Sequence, residues 1–596
     1  MPIYKAPVDD TLFLLNDVLH LERYGNLPGF AEVAPDVLAQ IVGEAGKICE
    51  ERLQPLNRKG DEEGCRRDEA GDVATPAGFK AAYDEFVAGG WVGLAVPPEY
   101  DGQGLPYTLA VVMNEFASAA NMAFAMYPGL TQGALAALLR HGSEEQKRLF
   151  APPMAAGRWT GTMNLTEPQC GTDLGLLTTK AVPREDGSYA ITGQKIFISA
   201  GEHDLAENII HLVLARIEGA PAGVKGISLF IVPKFEVEPD GSLGARNGVR
   251  CGALEHKMGI HGNATCVMNF DGARGFLVGE PNRGLNAMFV MMNEARLGVA
   301  VQGLAQSEVA YQNALSYAKE RLQGRALSGA VNARGAADPI IVHPDVRRAL
   351  MEMKAFNEAA RGLALATALD SDIAHRSEDA KARQAAEDRL GLLTPVLKGA
   401  LTDLGFENAV KAQQIWGGHG YIDENGAEQF VRDARITMIY EGANGIQALD
   451  LVGRKLPKDN GRAAMAYFAE VNEFASRESA EEMKPYVEPL KAALGDLQKA
   501  TVWLMQNALA KPDNGAGVSY DYMHLFGRVA LGYMWARIAR AALDKKRELS
   551  GDGAWLDAKL TTGKFYMEKM LPETGFRLAR IAAGADTMMG LPAEMF

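Results

Sequence analysis

The sequence predicts a mainly α-helical protein with a β module in its middle and an additional helical block at its end. Three observations carry this. Helix-period apolar runs with recognisable caps fill roughly the first 160 residues and return from about Gly284. Alternating, β-branched runs punctuated by Asp-Gly pairs are confined to about Thr160–Val278. Roughly 130 further residues beyond about residue 460 keep the helical period. The length agrees, since 596 residues is about four times a typical domain. With 47% apolar and 23% charged residues there is ample material for large cores.

Taken in order, roughly the first 35 residues read as one amphipathic helix behind an extended lead-in. Acidic residues flank its apolar stretch, and neither a basic leader nor a small-residue cleavage site is recognisable, which argues against a signal peptide. Thr75-Pro76 has the form of an N-cap followed by a first-turn proline and predicts a helix through Phe86. Val96–Gly104 is a loop, and Ser143-Glu144-Glu145-Gln146 fits a capping box. Strands are expected over Tyr189–Thr192, Lys195–Ser199, Ile209–Leu214 and Ile227–Val232. Asp186-Gly187 predicts a hairpin, and Asp240-Gly241 and Asp271-Gly272 predict further turns. Helical runs follow over Leu285–Arg321, Pro344–Ala366 and Arg383–Trp416, then from Gly461 to Phe596 with a loop at Lys511–Gly515. The expected division is 1–40 (N-terminal extension), 41–159 (α), 160–280 (β), 281–460 (α) and 461–596 (additional α).

Composition excludes several classes. Sixty-one basic against 75 acidic residues give a net charge of −14, the wrong sign for a chain that grips a polyanion. Cys49, Cys65, Cys170, Cys251 and Cys266 show no C-x-x-C spacing, so neither a disulfide framework nor a metal site is expected. A reducing, cytoplasmic location fits. The best candidate for a membrane span, Tyr522–Leu543, carries His524, Arg528, Arg537 and Arg540 and reads as a packed helix. No G-x-G-x-x-G, G-x-x-x-x-G-K-[ST], H-E-x-x-H or G-x-S-x-G pattern occurs in a suitable context.

Three dense segments remain. Met163–Asp173 crowds hydroxyls, a proline and a glycine into eleven residues. Gln414–Tyr421 ends a long helix in clustered glycines, and Arg432–Asn444 places Glu441 after an apolar stretch and before Gly442. Singly, each has an ordinary reading: a polar loop, a helix cap and a solvated carboxylate.

Together and in this order, the three resemble the flavin-dependent acyl-CoA dehydrogenase family, matching its TEP-G-[ST]-D, Q-x-x-GG-x-G and RD-[AS]-x-I-x-x-IYEG segments. The resemblance spans about Phe79 to Leu456 and implies the acyl-CoA dehydrogenase fold (α, β, α). The remaining C-terminal residues, the lead-in and Lys319–Arg325 resemble a long-form bacterial branch with an additional C-terminal α-helical domain. That branch includes 3-methylthiopropionyl-CoA and broad-range fatty acyl-CoA dehydrogenases.

The resemblance implies FAD as cofactor and removal of two hydrogens from an acyl-CoA thioester to give the trans-2-enoyl-CoA. Glu441 matches the base that takes the α-proton, and its apolar approach, Ile436–Tyr440, would favour a neutral carboxyl and so move it towards working pH. The Glu441 N–H and a flavin hydroxyl would hold the thioester oxygen. Met163, Leu165, Thr166 and Gly171 match flavin contacts, Thr166 near N5. Thr172 matches the phosphate region and the pantetheine path, and Phe197 and Ser199 lie beside the ring. Arg321 and Gln323 match residues reaching the pyrophosphate of the neighbouring subunit's flavin, and Gln414 and Gly418 the adenosine side. Asn293, Arg296 and Gly442 match substrate-side positions. Phe124, with Pro128, falls near the inner end of the acyl pocket, although such a Met- and aromatic-rich stretch also reads as plain core. Ala443 and Gly445 replace a threonine and a glutamine usual in the family, which implies rearranged FAD anchoring. Some members carry the base at the position of Ala295. Glu294 is one residue away, about 100° around the helix.

The implied activity is a dehydrogenase passing electrons to an electron-transfer flavoprotein. An acyl-CoA oxidase using O₂ and a DNA-binding flavoprotein share the fold; the acidic balance argues against the second. The extra module is expected to cover the interface through which shorter relatives form tetramers, leaving a homodimer.

Overall fold

The computed structural model describes residues 2–548 and 553–596. Helix α1 (Val8–Phe13) continues into a π turn over Leu14–Val18 and stops at His20, whose φ of 53° reverses the chain into a short 3₁₀ turn. The single N-terminal helix expected from the apolar period is therefore three short pieces, ahead of α2 (Pro35–Ile48). After α3 (Pro55–Glu63) comes a ribbon of β1 (Arg66–Arg67) and β2 (Val73–Ala74). Thr75 caps nothing: its N–H and hydroxyl both donate to Asp204, and α4 (Phe79–Ala88) starts behind Gly78 instead.

In α5 (Tyr107–His141) the helix breaks at Asn121 (φ −161°), whose side chain accepts the Phe124 N–H at 3.0 Å and recaps the second half. This helix is long and apolar enough to cross a membrane, but 94% of its most apolar window is buried in the protein. The predicted capping box of α6 (Glu144–Ala155) is present in both directions, Ser143 to Gln146 and back.

The strands β3 (Trp159–Asn164), β4 (Lys180–Pro183), β5 (Tyr189–Ser199), β6 (Asn208–Ile217), β7 (Ile227–Pro233), β8 (Phe235–Val237), β9 (Leu243–Arg246), β10 (Val249–Leu254) and β11 (Thr265–Val278) follow. Their main sheet runs β10-β11-β5-β4-β6-β3, and β7 bridges β11 and β6, so β11, β5, β4, β6 and β7 close into a ring. Asp271-Gly272 is not a turn but an irregularity inside β11. The single strand serves β5 and β10 with its first part and β7 with its last, and the register shifts between Phe270 and Ala273.

Beyond α7 (Gly284–Glu320) and α8 (Pro344–Arg376), the predicted run to Trp416 divides into α9 (Ala380–Val396) and α10 (Thr402–Trp416), joined by a π turn. Then come α11 (Ala427–Arg435), α12 (Asn444–Asp450), α13 (Arg462–Arg477), α14 (Lys484–Asn507), α15 (Pro512–Glu548), α16 (Ala554–Phe565) and α17 (Glu573–Ala582). Pro512 is the first residue of α15, so the expected loop shrinks to the few residues before it.

The chain forms two compact units, Glu44–Gly298 and Met1–Gly43 with Val299–Phe596. In the first, the closed sheet surrounds Ile191, Val213, Phe230, Val232 and Phe270. In the second, helices pack around Trp535, whose indole N–H donates to Ala355 O at 2.9 Å. The N-terminal segment is tied there by buried ions: Arg361 binds Asp10 and Glu308, and Lys559 binds Asp10 and Glu358 while standing over the Phe13 and Trp555 rings.

Candidate active site

In the β-containing unit, the segment after β3 is shaped by one buried ion pair. Lys195 Nζ donates to Glu167 Oε1 at 2.8 Å and to Leu165 O at 3.0 Å. Glu167 also receives the N–H and hydroxyl of both Thr178 and Thr179, and the amide of Gln169. Burial would raise this carboxyl, but the Lys195 ammonium and the threonine donors outweigh it and hold the pKa at about 2. Glu167 and Cys170 exchange backbone hydrogen bonds, which closes a tight turn and leaves Gly171 and Thr172 exposed.

The Thr166 carbonyl accepts the Ile196 N–H at 2.9 Å, which sets Thr166 beside Phe197. Here β5 carries a bulge: Cys266 pairs with Ile198 and Met268 with Lys195, so two residues, Ile196 and Phe197, oppose one. Phe197 takes φ 60° and its ring stands 60% exposed. A bulge re-aims a side chain in this way. Met163, at the end of β3, and Ser199 are half-buried, and Leu165 is buried. A flat apolar ring on an open edge, with hydroxyls and backbone groups beside it, suits an isoalloxazine. These residues fit FAD. On α7, Asn293 is exposed and Arg296 buried. Half-buried Glu294 has its carboxyl pushed by burial up to about 8. Phe124 is fully buried against Phe79, Phe86 and Tyr83. Its immediate neighbours are aromatic rings, and the acyl-pocket expectation for it is carried forward to the activity test below.

In the other unit, two of the expected cofactor segments meet through Tyr317. Its ring stacks on Trp416 at 4.5 Å, its hydroxyl pairs with His419 Nδ1 at 2.7 Å, and its carbonyl accepts the Arg321 N–H at 2.8 Å. Arg321, Gln323 and Gln414 are exposed around this stack. A Cβ built on Gly417 or Gly418 would meet open space, which leaves bare backbone for a ligand to approach. Asp338 holds the loop after Arg321, accepting from the N–H groups of Ala326, Val331 and Asn332.

Glu441 sits in the same unit, half-buried, between a 3₁₀ turn (Ile436–Met438) and α12. Its φ is 57° and that of Gly442 is 87°. Two consecutive left-handed residues, the first a glutamate, make a strained turn. The turn is held by its carbonyls. Gln447 Nε2 donates to Glu441 O at 3.1 Å and Gly442 O at 3.2 Å, and Lys398 Nζ donates to Gly442 O at 2.8 Å. Tyr440 anchors the approach through its hydroxyl on Gln302, and burial pushes its phenol well up. Sequence reasoning missed Lys195, Lys398, Asn444 and Gln447. The available signal was a lysine with no acidic neighbour at helical spacing inside an otherwise apolar strand or helix.

Comparison with known proteins shows the family. Residues 37–158, 162–273 and 282–456 match the N-terminal, middle and C-terminal domains of acyl-CoA dehydrogenase, and 467–592 match the domain described as acetyl-CoA dehydrogenase C-terminal like. The chain is 42% identical over 592 residues to the 3-methylmercaptopropionyl-CoA dehydrogenase of Ruegeria pomeroyi, covering 98% of this chain and 99% of that one. It is 34% identical over 596 residues to a broad-specificity linear acyl-CoA dehydrogenase of Mycobacterium tuberculosis, covering 96% of each. Among solved structures, Caenorhabditis elegans ACDH-11 in complex with C11-CoA superposes with a TM-score of 0.77 over 99% of this chain and 96% of that one, at 19% identity. Both relatives bear dehydrogenase names, which favours that activity over an oxidase. The chain belongs to the acyl-CoA dehydrogenase family, as an FAD-dependent oxidoreductase with an additional C-terminal helical domain.

Proposed function

We propose that this enzyme oxidises 3-methylthiopropionyl-CoA to the corresponding trans-2-enoyl thioester, with Glu441 as base. Full-length identity of 42% to a relative named for that substrate supports this reading, and the 34% relative named for linear acyl-CoAs supports a fatty acyl-CoA as the second reading. The observation that carries the catalytic assignment is the strained Glu441 turn (φ 57°), held through both of its carbonyls. Strain of this kind costs roughly 1–3 kcal/mol and persists where surrounding structure fixes it, characteristically at active sites.

The α-proton of a thioester is a weak acid, so its removal needs a fixed carboxylate and stabilisation of charge appearing on the thioester oxygen. Glu441 supplies the carboxylate, and its own N–H is assigned to that oxygen with Gly442 beside it. Bound FAD supplies the acceptor for the β-hydrogen. Met163, Leu165, Thr166, Gly171, Thr172, Phe197 and Ser199 are assigned to FAD; Asn293 and Arg296 are assigned to the substrate. Arg321, Gln323, Gln414 and Gly418 are assigned to the FAD of a second subunit, which makes the enzyme a homodimer. The Arg321 guanidinium suits a diphosphate. An electron-transfer flavoprotein is the proposed acceptor. A cytoplasmic location accords with Cys49, Cys65, Cys170, Cys251 and Cys266 all being unpaired thiols. The five-part division of the chain set out from the sequence is retained as part of the proposal.

The test is anaerobic titration of the yellow holoenzyme with methylthiopropionyl-, butyryl-, octanoyl- and palmitoyl-CoA. Flavin bleaching should be fastest with the first and should slow by roughly 10²–10⁴-fold or more in Glu441→Gln. Bleaching at the wild-type rate in that variant would overturn the assignment of the base. Light scattering on the holoenzyme tests the dimer, and a monomer replete in FAD would refute it.

A further inference from the structure

The additional C-terminal domain reaches the base turn through a buried chain of hydrogen bonds. Lys398, whose Nζ holds Gly442 O, also donates to Asn444 Oδ1 at 2.8 Å. The amide nitrogen of Asn444 donates to Asp403 Oδ1 at 2.7 Å and to Thr402 Oγ1 at 2.9 Å. The second carboxylate oxygen of Asp403 receives His524 Nε2 at 2.8 Å and the Tyr520 hydroxyl. Lys398, Asn444, Asp403 and His524 are all buried. Tyr520 and His524 lie on α15, within residues 467–592, outside the three domains matched to the shorter family plan.

We propose that His524 and Tyr520 are positioning residues for the catalytic turn, so that the extra domain serves the chemistry as well as the architecture. Each link has one orientation consistent with its neighbours. Asp403 is acceptor-only, and burial would raise its pKa, but the donors on α15 and Asn444 hold it below its ordinary value as a carboxylate. With Oδ2 occupied from α15, Oδ1 is left facing Asn444 and requires its NH₂ end. That places the Asn444 oxygen against the Lys398 ammonium, and the ammonium is then directed at Gly442 O. Without the α15 donors the carboxylate is free to rotate. An Asn444 amide turned over would oppose NH₂ to ammonium and release the carbonyl next to Glu441. Coupling along a buried polar chain of this kind exceeds that of isolated bonds.

This inference rests on Glu441 being the base, so Glu441→Gln is run alongside. The variants His524→Leu (no donor), His524→Gln (donor kept) and Tyr520→Phe are compared as FAD-loaded enzymes. Flavin reduction by 3-methylthiopropionyl-CoA and by butyryl-CoA is followed. A second readout is the long-wavelength absorbance formed with acetoacetyl-CoA, which can lose its α-proton but carries no transferable hydride. Loss of a charged hydrogen bond predicts that His524→Leu lowers the limiting reduction rate roughly tenfold with KM little changed. The acetoacetyl-CoA band weakens in parallel, His524→Gln restores both, and Tyr520→Phe falls between. Unchanged rates in His524→Leu while Glu441→Gln is inactive would overturn the positioning role and leave the base intact. An active Glu441→Gln would overturn the base itself. Equal loss in the Leu and Gln variants, with KM, FAD retention and melting temperature all moving, would mean plain structural damage and also overturn the role.

Discussion

Replacing Lys195 with methionine tests how the flavin-side segment is built. Met keeps the length and the apolar stem of Lys195 but removes the ammonium that binds Glu167 and Leu165 O. Both side chains are essentially unexposed, at 0% and 2%. Breaking a buried pair on one side costs about 3–5 kcal/mol, because the other charge is stranded. The four hydrogen bonds from Thr178 and Thr179 remain, which places this case at the lower end. The titration of Glu167 gives a similar figure. A carboxyl whose pKa falls from 4.5 unfolded to about 2 folded contributes about 3 kcal/mol, fully present above pH 4.5 and lost as pH falls towards 2. For a unit of this size, a loss of about 3 kcal/mol lowers Tm by about 6–12 °C. The assay is release of FAD fluorescence on heating, between pH 4 and 8. Lys195→Met should melt early at neutral pH, and the double change Lys195→Met/Glu167→Gln should recover part of the loss by removing the stranded charge. A double variant no more stable than Lys195→Met, or a single variant melting within 1 °C (about 0.3–0.5 kcal/mol) of wild type, would refute the reasoning.

Phe124→Ala removes a ring packed on Phe79, Tyr83 and Phe86 and should cost about 3–5 kcal/mol of stability. Denaturant melts measure this. A gain on octanoyl- or palmitoyl-CoA would support Phe124 as the inner end of the acyl pocket, and no gain would count against it. His261 is raised from 6.5 to about 9 by its hydrogen bond to Asp61, whose carboxylate lies 2.9 Å away. A raised folded pKa stabilises fully below pH 6.5 and is lost as pH rises through 9. After discounting for partial exposure, His261→Asn should remove about 1–2 kcal/mol at pH 6 and much less at pH 10. Melting temperatures across that range check the sign.

Features that depend on a few adjacent residues were legible in the sequence. The Ser143–Gln146 capping box closes on itself, and Asp186-Gly187 joins β4 to β5, because every partner lies within a few positions. Failures share the opposite cause. Thr75 has the form of a cap, but its hydroxyl is taken by Asp204, 129 positions away. Asp271-Gly272 is a good turn pair, yet β11 must satisfy partners on both sides, and the irregularity is absorbed without reversing the chain. His20 ends the first helix with φ 53° and no glycine or proline to announce it.

The candidate site divides along the same line. The residues proposed to face ligands, among them Thr166, Phe197 and Glu441, stand in short recognisable segments, because surface chemistry is set locally by side-chain type. What holds them is dispersed. Lys195 lies 28 positions from Glu167, Lys398 lies 44 from Gly442, and His524 lies 121 from Asp403. A buried lysine or histidine carries no local mark of its partner, since the pairing is made by tertiary packing and its strength by exclusion of water. The strain at Glu441 makes Lys398 and the groups behind it necessary. A glutamate at φ 57° left to local forces would relax. Its conformation is therefore a property of the packed unit around it, including the helices beyond residue 467 that the shorter family plan lacks.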